Sequence, residues 1–86
     1  MRVHIPQPLR SYTHGADEVE ASGASLAAVL DDLDRQFPGL RFRIVDEQAR
    51  MRRHVKFFVN REQVGRLDLP LEPTDEIHIF QALSGG

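Results

Sequence analysis

One stretch of this chain has helical periodicity, and the rest is built from short runs that alternate. Leu26, Val29, Leu30, Leu33 and Phe37 recur at spacings of three and four, with Asp31, Asp32, Asp34 and Arg35 between them, which puts the apolar side chains on one stripe of a helix. Ser25 stands at the N-cap position, where its hydroxyl can accept a bond from an orphan N–H of the first turn, and Pro38-Gly39 closes the element. A lone amphipathic helix cannot bury its own stripe, so the remaining segments must form the surface that covers it.

Those segments read as strands. Val3 and Ile5 alternate with Arg2 and His4 until Pro6 and Pro8 end the run. His14-Gly15 signals a turn, after which Val19 and Ala21 alternate with Glu18, Glu20 and Ser22, so a second strand is expected to pair antiparallel with the first. Between Arg41 and Arg53 the pattern is irregular, and VDEQARM reads as a connecting turn. In HVKFFVN, Val55, Phe57 and Val59 make one face and Lys56, Phe58 and Asn60 the other. A short strand around Gln63 to Leu67 and the Pro-bounded LPLEPTD lead to a last strand, EIHIFQAL, with Ile77 and Ile79 facing in and His78 and Phe80 facing out. The expectation is an α+β domain over residues 1–82: a mixed sheet of four to five strands with one main helix on one face. The other face then stays bare. Phe58 and Phe80 would make an apolar patch there of the kind that receives a partner, unless a loop or the 41–53 segment caps one of them.

Composition narrows the function. The 86 residues include no cysteine, so disulfides, thiolate zinc sites and a side-chain thiol nucleophile are excluded. Net charge is −2, unevenly spread: residues 1–40 carry three basic and six acidic residues, 41–66 eight basic and three acidic, and 67–86 four acidic. A nucleic-acid surface would want aromatics interleaved with those arginines on one face, which only the Phe57/Phe58 pair offers, so the segment reads as a solvated patch facing an acidic partner. No apolar h-region follows the N-terminus and no run is long enough to span a bilayer, so a cytoplasmic location and no membrane partner are expected.

No phosphate loop, serine elbow or nucleophile–base pair is present in the sequence. His4, His14, His54 and His78 never fall at helical metal-binding spacing, so they read as surface histidines and no metal site is expected. His4 and His78 become neighbours on the open face if the first and last strands pair. Asp31, Asp32 and Asp34 read as the solvated side of the helix. What is left is the sequence LSGG. Gly85 and Gly86 lack Cβ atoms, so a tail ending on them can thread a narrow channel and present its carboxylate to another protein's active site; a frayed terminus is the plainer alternative.

LRFRIVDEQARMRRHVKFFVN feeding a strand, Val59-Asn60, Asp75-Glu76-Ile77 and the closing LSGG together resemble the MoaD/ThiS family of ubiquitin-like sulfur carriers, over essentially the whole chain. The resemblance implies a β-grasp fold and a protein that is a co-substrate, not an enzyme. It implies that an E1-like enzyme adenylates the Gly86 carboxylate with ATP and that a sulfur donor displaces AMP to leave a thiocarboxylate. Gly86 is then the reacting residue, Ser84 and Gly85 the thread in a flexible 83–86 tail, and Phe58, Phe80 and Leu83 the docking contacts. No cofactor is expected on the chain itself. A sulfur-accepting synthase is implied as a second partner, with a metallopeptidase or a sulfurtransferase as further candidates.

The sequence departs from the family at two loops. Arg61 follows Val59-Asn60 where glycine is usual, and Thr74 stands where glycine often precedes the acidic pair. The RRHVKFFVN segment looks most like carriers that feed cysteine synthesis or related pathways. A small subunit of molybdopterin synthase, a ubiquitin-like protein modifier and a plain binding module with an inert tail are the alternatives.

Overall fold

The first strand, β1 (Arg2–His4), buries Val3, and Ile5 beyond it is buried too. In this computed structural model, which describes Met1 to Ala82, β1 pairs antiparallel with β2 (Glu18–Glu20) in the register Val3↔Val19. The two prolines turn the chain into a 3₁₀ turn, Gln7–Leu9, and His14 and Gly15 at φ 56° and 86° return it to β2.

The helix α1 (Leu26–Gln36) buries Leu26, Val29, Leu30 and Leu33. Each N–H of its first turn has an acceptor, as a buried helix end requires: Leu26 donates to the Leu69 carbonyl (3.1 Å), Ala27 to that of Leu67 (2.8 Å), and Ala28 to the Ser25 hydroxyl (3.2 Å). That use of residues 67–69 explains a difference from the sequence reading. The strand expected to reach Leu67 is only β4 (Glu62–Val64), because the chain leaves the sheet to cover the helix start.

A second helix, α2 (Leu40–Ile44), lies where the sequence looked irregular. Five residues are too few to display a period and too few to be stable alone. Burial of Leu40 and Ile44, one turn apart, holds it in place. So does Asp34 of α1, whose Oδ1 accepts from the backbone N–H groups of Gly39 and Arg41, both at 3.1 Å. The acidic side of α1 is thus structural and not merely solvated: Asp31 pairs with Arg41 at 3.2 Å, and Asp32 accepts from the Ser22 N–H at 3.0 Å.

The Ser22 N–H, then Arg35, hold the Asp32 carboxyl below its ordinary value. A carboxyl depressed in the folded state contributes stability above its unfolded value, about 3.9, and loses that contribution as pH falls through the lower folded value. The Ser22 amide resonance is therefore expected to move, and its protection from exchange to drop, only at pH below about 3.9, whereas Asp32→Asn should lack this acid transition.

The connecting turn after α2 is as expected. Asp46 Oδ1 accepts from the N–H groups of Gln48 and Arg50, both at 2.9 Å, and Val45 and Met51 bridge across it. Then β3 (Val55–Val59) buries Val55, Phe57 and Val59. It joins β4 through Asn60 and Arg61 at φ 50° and 75°, the doubly left-handed pair that a two-residue type I′ hairpin requires. The last strand, β5 (Glu76–Gln81), lies at the centre of a five-stranded sheet of order β2-β1-β5-β3-β4, parallel to β1 and antiparallel to β3. Val3, Phe57, Ile77 and Ile79 from the sheet and Leu26, Leu30 and Leu33 from α1 share one core. Among the described residues no helix is long and apolar enough to cross a membrane.

Candidate functional site

With α1 on one side, the alternating pleat sends Lys56, Phe58, Glu76, His78 and Phe80 to the other. Phe58 lies opposite His78, and Lys56 opposite Phe80, so the two phenylalanines are diagonal neighbours. Their rings meet edge to face with centroids 5.3 Å apart, a favourable arrangement for aromatic quadrupoles. Phe58 is half-buried, and Phe80 keeps 52% of its surface exposed. Among the described residues no loop or helix encloses either ring, so the patch expected from period-two alternation exists there.

The aromatic pair sits at the end of the sheet from which the chain leaves. Gln81 pairs with Val55, and the Ala82 N–H donates to the His54 carbonyl at 2.9 Å, so the strand is fixed two residues beyond Phe80. The other proposed site residues, Leu83, Ser84, Gly85 and Gly86, lie outside the described residues. Beside this root, Arg52 stacks over Phe42 (guanidinium carbon 4.6 Å from the ring centroid) and its Nε donates to the Phe42 carbonyl at 2.7 Å. Phe42 is itself 52% exposed, which makes it a third accessible aromatic that the sequence reading did not single out. Its helix was too short to assign a face. The basic segment is divided: Arg41 and Arg50 are matched by Asp31 and Asp46, while Arg52 stays with the aromatic ring.

At the opposite end, Val59-Asn60 and Asp75-Glu76 prove to be one device. Asn60 Nδ2 donates to Asp75 Oδ1 at 2.7 Å, its Oδ1 accepts from the Glu76 N–H at 3.0 Å, and its backbone N–H donates to the Glu76 carbonyl at 3.0 Å. The Asn60 side chain therefore ties the β3–β4 turn to the start of β5. Asn60→Ala is expected to cost about 2 kcal/mol in urea denaturation, combining lost hydrogen bonds with a left-handed residue that now bears a Cβ and no polar side chain. Asn60→Gly should cost about half as much, because it relieves the backbone. Equal losses would assign the whole effect to the hydrogen bonds.

Comparison with known proteins agrees with this geometry. A family model described as the ThiS family matches residues 3–86. The sulfur carrier protein CysO of Mycobacterium tuberculosis is 36% identical over 89 residues, covering 98% of this chain and 96% of that protein. A chain in the crystal structure of the Amycolatopsis orientalis BexX/CysO complex superposes with a TM-score of 0.90 at 34% identity, covering 99% of this chain and 98% of its own. Small archaeal modifier protein 1 of Haloferax volcanii superposes at 0.80 with 25% identity, covering 100% of this chain and 98% of its own. A five-stranded β-grasp sheet with one main helix, a family match through the final glycine and a curated sulfur carrier alike from end to end place this chain in the ThiS family of ubiquitin-like sulfur carriers.

Proposed function

We propose that the chain carries sulfur as a thiocarboxylate on Gly86 and delivers it to the synthesis of cysteine or a related sulfur metabolite. The observation that carries this reading is the near end-to-end likeness to curated sulfur carriers, with the family match extending through Gly86. The chemistry agrees with the residues present. With no cysteine in the chain, sulfur must be held on a main-chain carboxyl, and a carboxylate resists substitution until it gains a leaving group. An E1-like partner joins the Gly86 carboxylate to the α-phosphate of ATP, releasing pyrophosphate. A sulfur nucleophile then forms the C–S bond as AMP departs, and the product sulfur is the nucleophile that a synthase consumes. The chain is a co-substrate in each step and binds no cofactor of its own; ATP belongs to the activating partner. A metallopeptidase that frees the product, or a sulfurtransferase that supplies the sulfur, fits the same scheme. Phe58, Phe80 and Leu83 make the docking contact, and Ser84 and Gly85 thread the partner's channel.

Incubation with ATP, an E1-like enzyme and a sulfide source is expected to replace one oxygen of the chain by one sulfur, read by intact mass. A mass that stays unchanged with each activating enzyme of this type overturns the reading.

The likeness to small archaeal modifier proteins supports a second use of the same tail, isopeptide bonding to lysines. Adducts ending in Gly86 on cellular proteins would establish it, and their absence from cells charged with the activating enzyme would remove it. Lys56 is the chain's only lysine, so it is the only side chain on which the protein could build polymers of itself.

A further inference from the structure

We propose that His4, Glu76 and His78 form a three-ligand site for a divalent transition-metal ion of the zinc class on the uncovered face of the sheet. Only His4 is remote in the chain from Glu76 and His78, and the register of β1 against β5 brings the three together. In that parallel pairing His4 lies beside His78 and Arg2 beside Glu76. Glu76 and His78, two residues apart on one strand, point to the same face. Three potential ligand atoms, one from each side chain, lie within 4.8 Å of one another. Glu76 Oε1 is 3.2 Å from His4 Nε2 and 3.7 Å from His78 Nε2. A tetrahedral ion with bonds of about 2.0–2.1 Å holds its ligands roughly 3.3 Å apart, so both separations are close to coordination geometry.

The imidazole rings are stacked, with centroids 4.0 Å apart and planes 4° from parallel. Both are only part-buried, so tilting their edges towards a shared ion displaces no core residue. An ion pair between the imidazoles and Glu76 is the competing account of the cluster, and zinc titration separates the two. His4 Nε2 is buried and lies 3.2 Å from Glu76 Oε1 without hydrogen-bond geometry, so the carboxylate is beside the nitrogen but does not satisfy it.

Charged groups stand near the ligands at ion-pair distance. Glu18 Oε1 stands 3.8 Å from His4 Nδ1, on the side of the ring away from Glu76. Arg2 reaches Glu76 Oε2 at 3.7 Å and Glu18 Oε2 at 3.2 Å, so it can hold Oε2 and leave Oε1 to the ion. Its charge opposes a cation, but two carboxylates face that single guanidinium. His78 also stacks near Phe80, with centroids 6.2 Å apart, which gives the site an apolar wall on the tail side. Two imidazoles and one carboxylate select zinc-class ions over magnesium or calcium, which take all-oxygen sets. All three donors come from the sheet, so the fourth position faces solvent and takes a water or a donor from a docked partner.

Calorimetric titration of the full chain with zinc chloride is expected to show one saturable equivalent, and cobalt(II) in its place should develop the intense visible absorption of a four-coordinate ion. His4→Gln and His78→Gln should each weaken zinc at least tenfold, and His54→Gln should change nothing. A cobalt spectrum that stays that of the aquated ion, or zinc binding equal in the wild type and the His4→Gln/His78→Gln double variant, overturns the proposal. The readout is binding to this chain alone and does not depend on sulfur transfer.

Discussion

A chain lacking Gly86 is expected to give no thiocarboxylate and no ATP–pyrophosphate exchange with the activating enzyme, and yet to melt where the intact chain melts. The two halves of this result test different links. On the proposed scheme, the carboxyl left on Gly85 is one residue short of the reach that places Gly86 in the partner's site. A shortfall of one residue is up to about 3.5 Å of extended chain, far beyond what an in-line attack on a phosphate tolerates. Stability should not follow, because among the described residues the buried core lies between Val3 and Ile79. A melting shift of several degrees, equivalent to about 1 kcal/mol in a domain of this size, would mean that the tail packs on the fold and is not a free handle. Residual sulfur transfer at the wild-type rate would remove Gly86 as the reacting residue.

The largest effect on folding is expected from Phe57→Ala. Phe57 has 1% of its surface exposed and sits opposite Val64 on one neighbouring strand and Ile79 on the other. Truncating a buried phenylalanine costs about 3–5 kcal/mol. A domain of this length has roughly 4–13 kcal/mol in total. The variant should therefore populate the unfolded state measurably at room temperature, read as an early denaturant midpoint. Phe58→Ala is the matched control, since its side chain leaves the opposite face and is only half-buried, and it should cost about 1 kcal/mol. If the adjacent substitutions cost the same, the side-chain alternation assigned to β3 is wrong.

The strands, the main helix and its cap were legible because their signals are local. Val55, Phe57 and Val59 need only a period of two to declare a face, and Ser25 needs only its place before an apolar stripe. The bare aromatic face followed from the same alternation. What could not be read depends on contacts remote in sequence. α2 exists because Asp34, on another helix, supplies its N-terminal acceptor and the core takes Leu40 and Ile44. β4 stops at Val64 because the following residues are needed at the start of α1. The bond between Asn60 and Asp75, and the meeting of His4 with Glu76, require a sheet order that no single segment encodes. The role proposed for Gly86 rests on the family resemblance, since two glycines are compatible with an idle terminus as well.

The parallel pairing of β1 with β5 also bears on how the protein is made. β5 is the middle strand, yet it follows the other four described strands in the chain, and until it is made β1 and β3 have no common neighbour. Loop closure over nearly the whole chain must precede the central hydrogen bonds. A translation product that stops before Glu76 is thus left with β1–β2 and β3–β4 pairs that share no strand, with unpaired edges open to proteases. Completion of the sheet therefore waits on the strand that directly precedes the residues proposed to carry sulfur.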